Sequence, residues 1–478
     1  MAFLWARSTG SRFGCPSFFG AAADTLRRMP NVRGRASPSR PSDSILFATI
    51  ALMMGLAFAF VTPPFRDPDG LFHFFRSAAI ANGHLIPSGG PDTAPIPHGL
   101  LNFAFVMSLT DEAGKFRSDQ FRQAIRIPLE RSDLRVVSFP AWYTPIPFLP
   151  QALTVLAAQV LSARPIAIFY AGRVINLLVS LAMVTAAMRL APSLRPVIAA
   201  VALLPMSLFQ FASWSPDALT IAACILLTAA LLGAVERTEP IAAREVILIC
   251  AVALIAGLCK PAYFLIALLV VGIPRERFRS ARHRLVTIAA VIGAMAVATA
   301  ISFGYAQAAF YQQRGGLPID PASQLRCIAA DPVRFVQVLL HDVATNGWSY
   351  AQQTVGRLGV GEIKLPVAVI VVELALLVVV GMSVRTHTPR LIALSIVVVT
   401  AVGVVISQYL TWSIICGDVI EGVQGRYFLP VLPLAVAAIW SAAAMPPPLP
   451  RFAKSGAATV VQSLCNAVAL MTIIRSYW

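Results

Sequence analysis

A chain of 478 residues that is 57% hydrophobic and 13% charged, with mean hydropathy +0.74, carries more apolar surface than one soluble core can hide, which excludes an ordinary globular domain. The formal net charge of +16 does not indicate nucleic acid, because the basic residues form short clusters between apolar runs rather than one stripe interleaved with aromatics. No Walker loop, Rossmann glycine pattern, HExxH pair or GxSxG elbow occurs in a usable context, so soluble-cofactor enzymology has no support.

In chain order, residues 1–44 are rich in arginine, serine, glycine and proline and read as a disordered basic cytosolic tail. Apolar segments follow at about 45–62, 166–188, 196–213, 217–234, 246–259, 261–273, 285–305, 366–383, 391–410, 427–444 and 456–473. Crossing roughly 30 Å of hydrocarbon takes about 20 such residues, so these segments predict about 11 transmembrane helices and an all-α polytopic membrane protein. One further run, about 144–161, could span or lie along the interface. Charge bias decides between the two. With 144–161 left out, the inner loops hold 20 basic residues against six acidic ones, and the outer loops 16 against 15. Counting it as a span would move the arginine cluster at Arg275, Arg277, Arg279, Arg282 and Arg284 outside.

The predicted organisation is therefore a tail, a membrane domain at 45–446, and a C-terminal segment at 447–478 holding the last span. Long loops at about 63–165 and 306–365 share the outer side with the turns at Ser215-Pro216-Asp217, Lys260-Pro261 and 411–426. A first loop of that length exceeds what a helix connection needs, and such loops usually carry function. Cys327 and Cys416 fall in outer loops, where a disulfide is chemically possible, while most other cysteines lie in apolar runs and read as packing residues.

Candidate chemistry begins right after the first span, where Asp67, Asp69, His73 and two arginines fall within eleven residues. They could supply a general base, a metal ligand and a phosphate clamp. The rival reading is an interfacial helix with Asp69 as its cap and Phe72, Phe74 and Phe75 dipping into lipid. Arg173 lies some two turns inside the second span, where it must find a carboxylate or a phosphate, and Glu373 in the eighth span poses the mirror-image problem. Asp217 opens a span as a cap or a functional carboxylate. Lys260, and Arg426 beside Gln424, stand on the side that disfavours basic residues, which suggests an anionic partner. Snorkelling for Lys260, and pairing of Arg426 with Asp418 or Glu421, are the plainer alternatives.

These residues resemble a family. Pro68, Asp69 and His73, then Ala81-Asn82-Gly83-His84-Leu85, Tyr143-Thr144-Pro145 to Pro150-Gln151-Ala152, Gly172-Arg173-Val174-Ile175-Asn176, the Ser215-Pro216-Asp217 turn, Cys259-Lys260-Pro261-Ala262-Tyr263 and Gly422 to Pro430 look like the bacterial domain-of-unknown-function 2142 (DUF2142) family of predicted membrane proteins, over roughly 45–440. In its order of parts that family is similar to GT-C membrane glycosyltransferases. The resemblance implies a GT-C-like fold with a long first outer loop, placed in the bacterial inner (cytoplasmic) membrane. It also implies transfer of a sugar from a polyprenyl-phosphate donor to an envelope glycan or protein acceptor on the outer face. Asp69 would be the base, with Asp67 and His73 beside it. Arg173, Asp217, Lys260, Gln424 and Arg426 would bind the lipid phosphate. Where the family usually has Asp-Glu this chain has Asp69-Gly70, so the second carboxylate is missing unless Asp67 replaces it, and a divalent metal stays an open question. Transport of lipid-linked glycans, or a non-catalytic assembly role, are the rival classes.

Overall fold

The computed structural model describes residues 41–86, 92–111, 114–309, 313–314, 317–383, 389–440 and 456–478. The first helix, α1 (Pro41–Val61), starts inside the stretch expected to be tail, with proline at its first position, where a missing N–H costs nothing. The rest of the tail lies outside the described residues.

The protein is an all-α polytopic membrane protein, but with fewer full-length spans than the hydropathy pattern suggests. Among the described residues six helical stretches are long and apolar enough to cross: Ser44–Val61 within α1, and in chain order Pro165–Leu190, Asp217–Glu236, Ala281–Gln307, Arg390–Thr411 and Ala457–Tyr477. A seventh crossing is the pair Pro192–Ala202 and Pro205–Phe211, bent by 82°. The remaining four expected spans are short. Ala243–Cys259 and Val367–Ser383 have 17 residues each, about 25 Å at a rise of about 1.5 Å. Pro261–Gly272 is a 3-10 helix of 12 residues, about 24 Å at a rise of about 2.0 Å. Gly425–Val431 is also 3-10 and continues as an α-helix over Leu432–Trp440. Each of these four apolar runs falls on a helix, and among the described residues each helix stops short of the roughly 30 Å of hydrocarbon.

In chain order we label the first-loop helices α2 (Gly70–Ala81), α3 (His98–Ser108), α4 (Ser118–Arg126) and α5 (Leu149–Val160), and the strands β1 (Asp92–Pro97) and β2 (Leu134–Phe139). The strands pair antiparallel with Asp92 opposite Phe139 and Pro97 opposite Leu134. α2 is not an interfacial helix lying in lipid. Phe74 and Phe75 are buried, and Phe74 sits edge-on to Trp214 at 4.9 Å, leaving only Phe72 of the three exposed. α5 covers about 18 Å with its 12 residues, and Leu153 and Val160 stay exposed on its outer edge, which fits an interfacial helix rather than a span.

The central helix, α9 (Asp217–Glu236), has its apolar window wholly buried by its neighbours. Beside it the broken pair, α7 (Arg195–Ala202) and α8 (Pro205–Phe211), frees backbone carbonyls in a setting without water. Side chains of the last helix satisfy them: Gln462 Nε2 donates to Ala200 O at 2.7 Å and Asn466 Nδ2 to Leu203 O at 2.8 Å. The same Gln462 amide donates to Glu373 Oε2 at 3.1 Å, which is how the buried carboxylate of the eighth apolar segment is held.

Contacts sort the loops into two groups, as the charge bias requires. On one side Arg237 and Arg277 pair with Glu245, and Ile241 N donates to Arg277 O at 2.8 Å. On the other, Thr144 Oγ1 donates to Leu258 O at 2.7 Å, Arg334 pairs with Asp418 at 2.8 Å, and Trp478 Nε1 donates to Val61 O at 2.8 Å. Cys327 and Cys416 form a disulfide across 89 residues of sequence, a bond of the kind that persists in oxidising compartments. We expect an impermeant thiol reagent, applied to cells exposing only the outer face, to label both cysteines after reduction, while Arg279→Cys is labelled only after permeabilisation. Equal protection of both sites would overturn the assignment of sides.

Candidate functional site

The two aspartates of the Arg66-Asp67-Pro68-Asp69 stretch go opposite ways. Asp67 is fully buried, its Oδ1 accepting from Arg173 Nη2 at 3.1 Å and its Oδ2 from Trp214 N at 3.1 Å. Arg173, also fully buried on α6 (Pro165–Leu190), donates in addition to the carbonyls of Ala59, Thr62 and Pro63 at 3.0, 2.5 and 3.0 Å. Three residues on along α6, Asn176 donates to Ser213 O at 2.8 Å and Ser215 O at 3.3 Å. The Gly172–Asn176 run therefore reads as one helix face that holds both the end of the first span and the turn before α9. Arg173 meets the carboxylate it needs, inside the protein and away from solvent.

Asp69 points outward. Its backbone is left-handed (φ 57°) and its side chain makes no cap hydrogen bond to α2, so the capping role does not hold. That conformation costs a non-glycine residue about 1–2 kcal/mol, and aspartate and asparagine bear it better than most. The Asp69 carboxylate is 58% exposed and lies 3.9 Å from Arg426 Nη2. Gly70 follows for a steric reason: a Cβ there would come within 2.5 Å of the Asp67 carboxylate. Asp67 thus fills the space of a side chain at position 70, but it faces Arg173.

Asp217 is the hub. It is the first residue of α9 and makes no cap bond; instead Oδ1 accepts from Lys260 Nζ at 3.2 Å and Oδ2 from Arg426 Nε at 2.8 Å. Asp418 pairs with Arg334, and Arg426 finds its carboxylate in Asp217 rather than in Asp418. Two cations around one carboxylate leave one net positive charge, mostly buried, at the edge marked by Asp69. Aromatic rings wall it in: Lys260 Nζ is 4.0 Å from the Tyr427 ring centroid and 5.4 Å from that of Tyr143. Burial pushes the Tyr143 phenol up to about 12 against the pull of Lys260, so it stays neutral. His73 is one turn past Asp69, with its N–H on Asp69 O at 3.0 Å. Burial holds its imidazole below the ordinary value, against Asp69, Asp217 and Asp67, which keeps the ring neutral at neutral pH.

Arg426 is positioned by its own glycine-flanked loop. A Cβ at Gly425 would lie 2.2 Å from Tyr350 O, so only glycine lets this backbone meet the helix Pro332–Gly356. There Gly425 N donates to Gln353 Oε1 at 3.0 Å and Gly425 O accepts from Thr354 Oγ1 at 2.9 Å. Gln424, half-buried, closes the turn by accepting from Tyr427 N at 3.0 Å. The tyrosine walls stand in motifs the sequence singled out, yet nothing in those motifs says that they enclose a lysine.

The structure therefore gathers Asp69, His73, Asp217, Lys260 and Arg426, with Gln424 at the adjoining turn, and sets Asp67 and Arg173 apart as a buried pair. A divalent ion does not fit this set. Hard cations need several free oxygens, but both Asp217 oxygens are held by buried cations and both Asp67 oxygens face inward to Arg173 and Trp214, which leaves Asp69 as the open carboxylate of the group.

The sequence profile of a family described as predicted membrane proteins, DUF2142, matches residues 52–435. No curated protein and no solved structure matches the chain.

Proposed function

The chain belongs to the DUF2142 family of predicted membrane proteins, and from that premise we propose that it is a membrane glycosyltransferase moving a sugar from a polyprenyl-phosphate donor to an envelope acceptor on the outer face of the bacterial cytoplasmic membrane. The observation that carries the reading is Asp69: an exposed, uncapped carboxylate beside a buried cation pair that Asp217 holds in place.

In this reading Asp69 accepts the proton of the acceptor hydroxyl as its oxygen attacks the anomeric carbon. The bond from that carbon to the phosphate oxygen breaks, and Arg426 and Lys260 take up the charge that develops on the departing lipid phosphate. Asp217 is a positioning residue, and neutral His73 offers a hydrogen bond rather than a charge. Support for a lipid donor comes from an open apolar groove of about 440 Å³ beside the 3-10 helix that starts next to Lys260; it is lined by residues including the exposed Phe264 and Phe303 with Ala267 and Met295, a surface against which an isoprenoid tail can lie.

The test is transfer by purified, reconstituted protein offered a panel of polyprenyl-phosphate sugars. One donor is expected to be consumed with release of the lipid phosphate. Binding of a donor without turnover across the panel would favour a flippase over an enzyme. Arg426→Lys keeps the charge but loses the planar fork between Asp217 and Asp69, so donor binding is expected to weaken at least about tenfold. Unchanged affinity in that variant would make Arg426 a structural ion pair.

A further inference from the structure

We propose that His98, Glu130 and Asp133 form a divalent-cation site in the first outer loop, sharing no residue with the Asp69 cluster. His98 Nδ1 lies 2.9 Å from Glu130 Oε2 and 3.0 Å from Asp133 Oδ2, and one donor atom from each residue falls within 4.8 Å of the others. Separations near 3 Å are the edges expected of a coordination shell whose bonds are about 2.0–2.2 Å long.

The backbone brings the three together independently of their side chains. The β1–β2 register sets Pro97 opposite Leu134, so His98 and Asp133 are the next residues out, and His98 N donates to Asp133 O at 2.7 Å. Gly99 N donates to Leu129 O at 3.2 Å, and a Cβ on Gly99 would lie 2.0 Å from Pro128 O, so the loop is pressed against the start of α3.

The chemistry then asks for a cation. Nδ1 of a neutral imidazole carries one proton at most and cannot satisfy two carboxylates that also repel each other. A divalent ion neutralises both and takes the Nδ1 lone pair. Arg135 grips Asp133 as an outer-shell partner would, with Nε at 3.2 Å from Oδ1 and Nη2 at 3.3 Å from Oδ2, and because the pair is exposed Oδ2 keeps a second lone pair toward His98. The three side chains are 29%, 40% and 42% exposed, so water can complete the shell. One imidazole with two carboxylates suits Zn²⁺ or Mn²⁺ better than Ca²⁺, which takes six to eight oxygens.

The experiment is calorimetric titration of the chelator-treated full-length protein in detergent with Zn²⁺ and with Mn²⁺, together with thermal melting. Wild type is expected to bind one equivalent of one of these ions and to melt higher with it. His98→Ala and Glu130→Gln should each weaken binding at least about tenfold and abolish the shift. Glu130→Gln replaces a partly exposed, isosteric side chain and keeps the comparison valid if His98→Ala does not fold. No binding by wild type, or equal binding by both variants, would overturn the site and leave a histidine–carboxylate ion pair.

Discussion

Asp69→Asn is expected to leave insertion and melting temperature unchanged while cutting sugar transfer by about 10² or more, the loss that follows when a general base can no longer accept a proton. The structure makes this substitution unusually clean. Asp69 is left-handed, a conformation asparagine tolerates about as well, and its carboxylate makes no cap bond that the amide would have to replace. Asp69→Gly widens the test, because glycine adopts the same backbone without strain and removes the side chain altogether. Both variants should fold and neither should transfer. The readouts are thermal melting in detergent and release of lipid phosphate from the donor that wild type consumes. If Asp69→Asn retained full transfer, the base would have to be sought elsewhere.

Asp67→Asn is expected to fail for the opposite reason, through stability. Removing one partner of a buried ion pair leaves the other charge uncompensated, at about 3–5 kcal/mol, a large share of what a membrane or soluble domain has to spare. Arg173 would keep its three carbonyl acceptors but lose the only anion that an ion pair gives it among the described residues. We expect a large drop in yield and melting temperature for Asp67→Asn and for Arg173→Met alone. In the double variant Asp67→Ala/Arg173→Met the loss should be smaller than the sum, because no charge is stranded. A fully stable Asp67→Asn that loses transfer would return Asp67 to the catalytic set, in the role of the missing second carboxylate.

Much of the molecule was legible in the chain, and it was the part governed by local physics. Transfer of apolar side chains into lipid marks each apolar run. Charge bias between loops sorted them into two sides; Lys260 and Arg426 stood out on the side that disfavours basic residues, Asp217 at the start of a span, and Asp69 in the charged cluster after the first one. Only the tertiary structure decided their partners. Asp67 and Asp69 are two residues apart and equally acidic on paper, yet a left-handed backbone at Asp69 sends one inward to Arg173 and leaves the other beside Arg426. Glu373 meets Gln462 across 89 residues, and His98 meets Glu130 across 32. The short helices escaped for a related reason: hydropathy counts the apolar residues in a run, whereas the length it spans depends on where the helix starts and stops and on whether it winds as α or 3-10. Composition and spacing set the depth and polarity of each segment. Which carboxylate neutralises which cation at that depth is settled by helix packing and by the cost of leaving any buried charge alone.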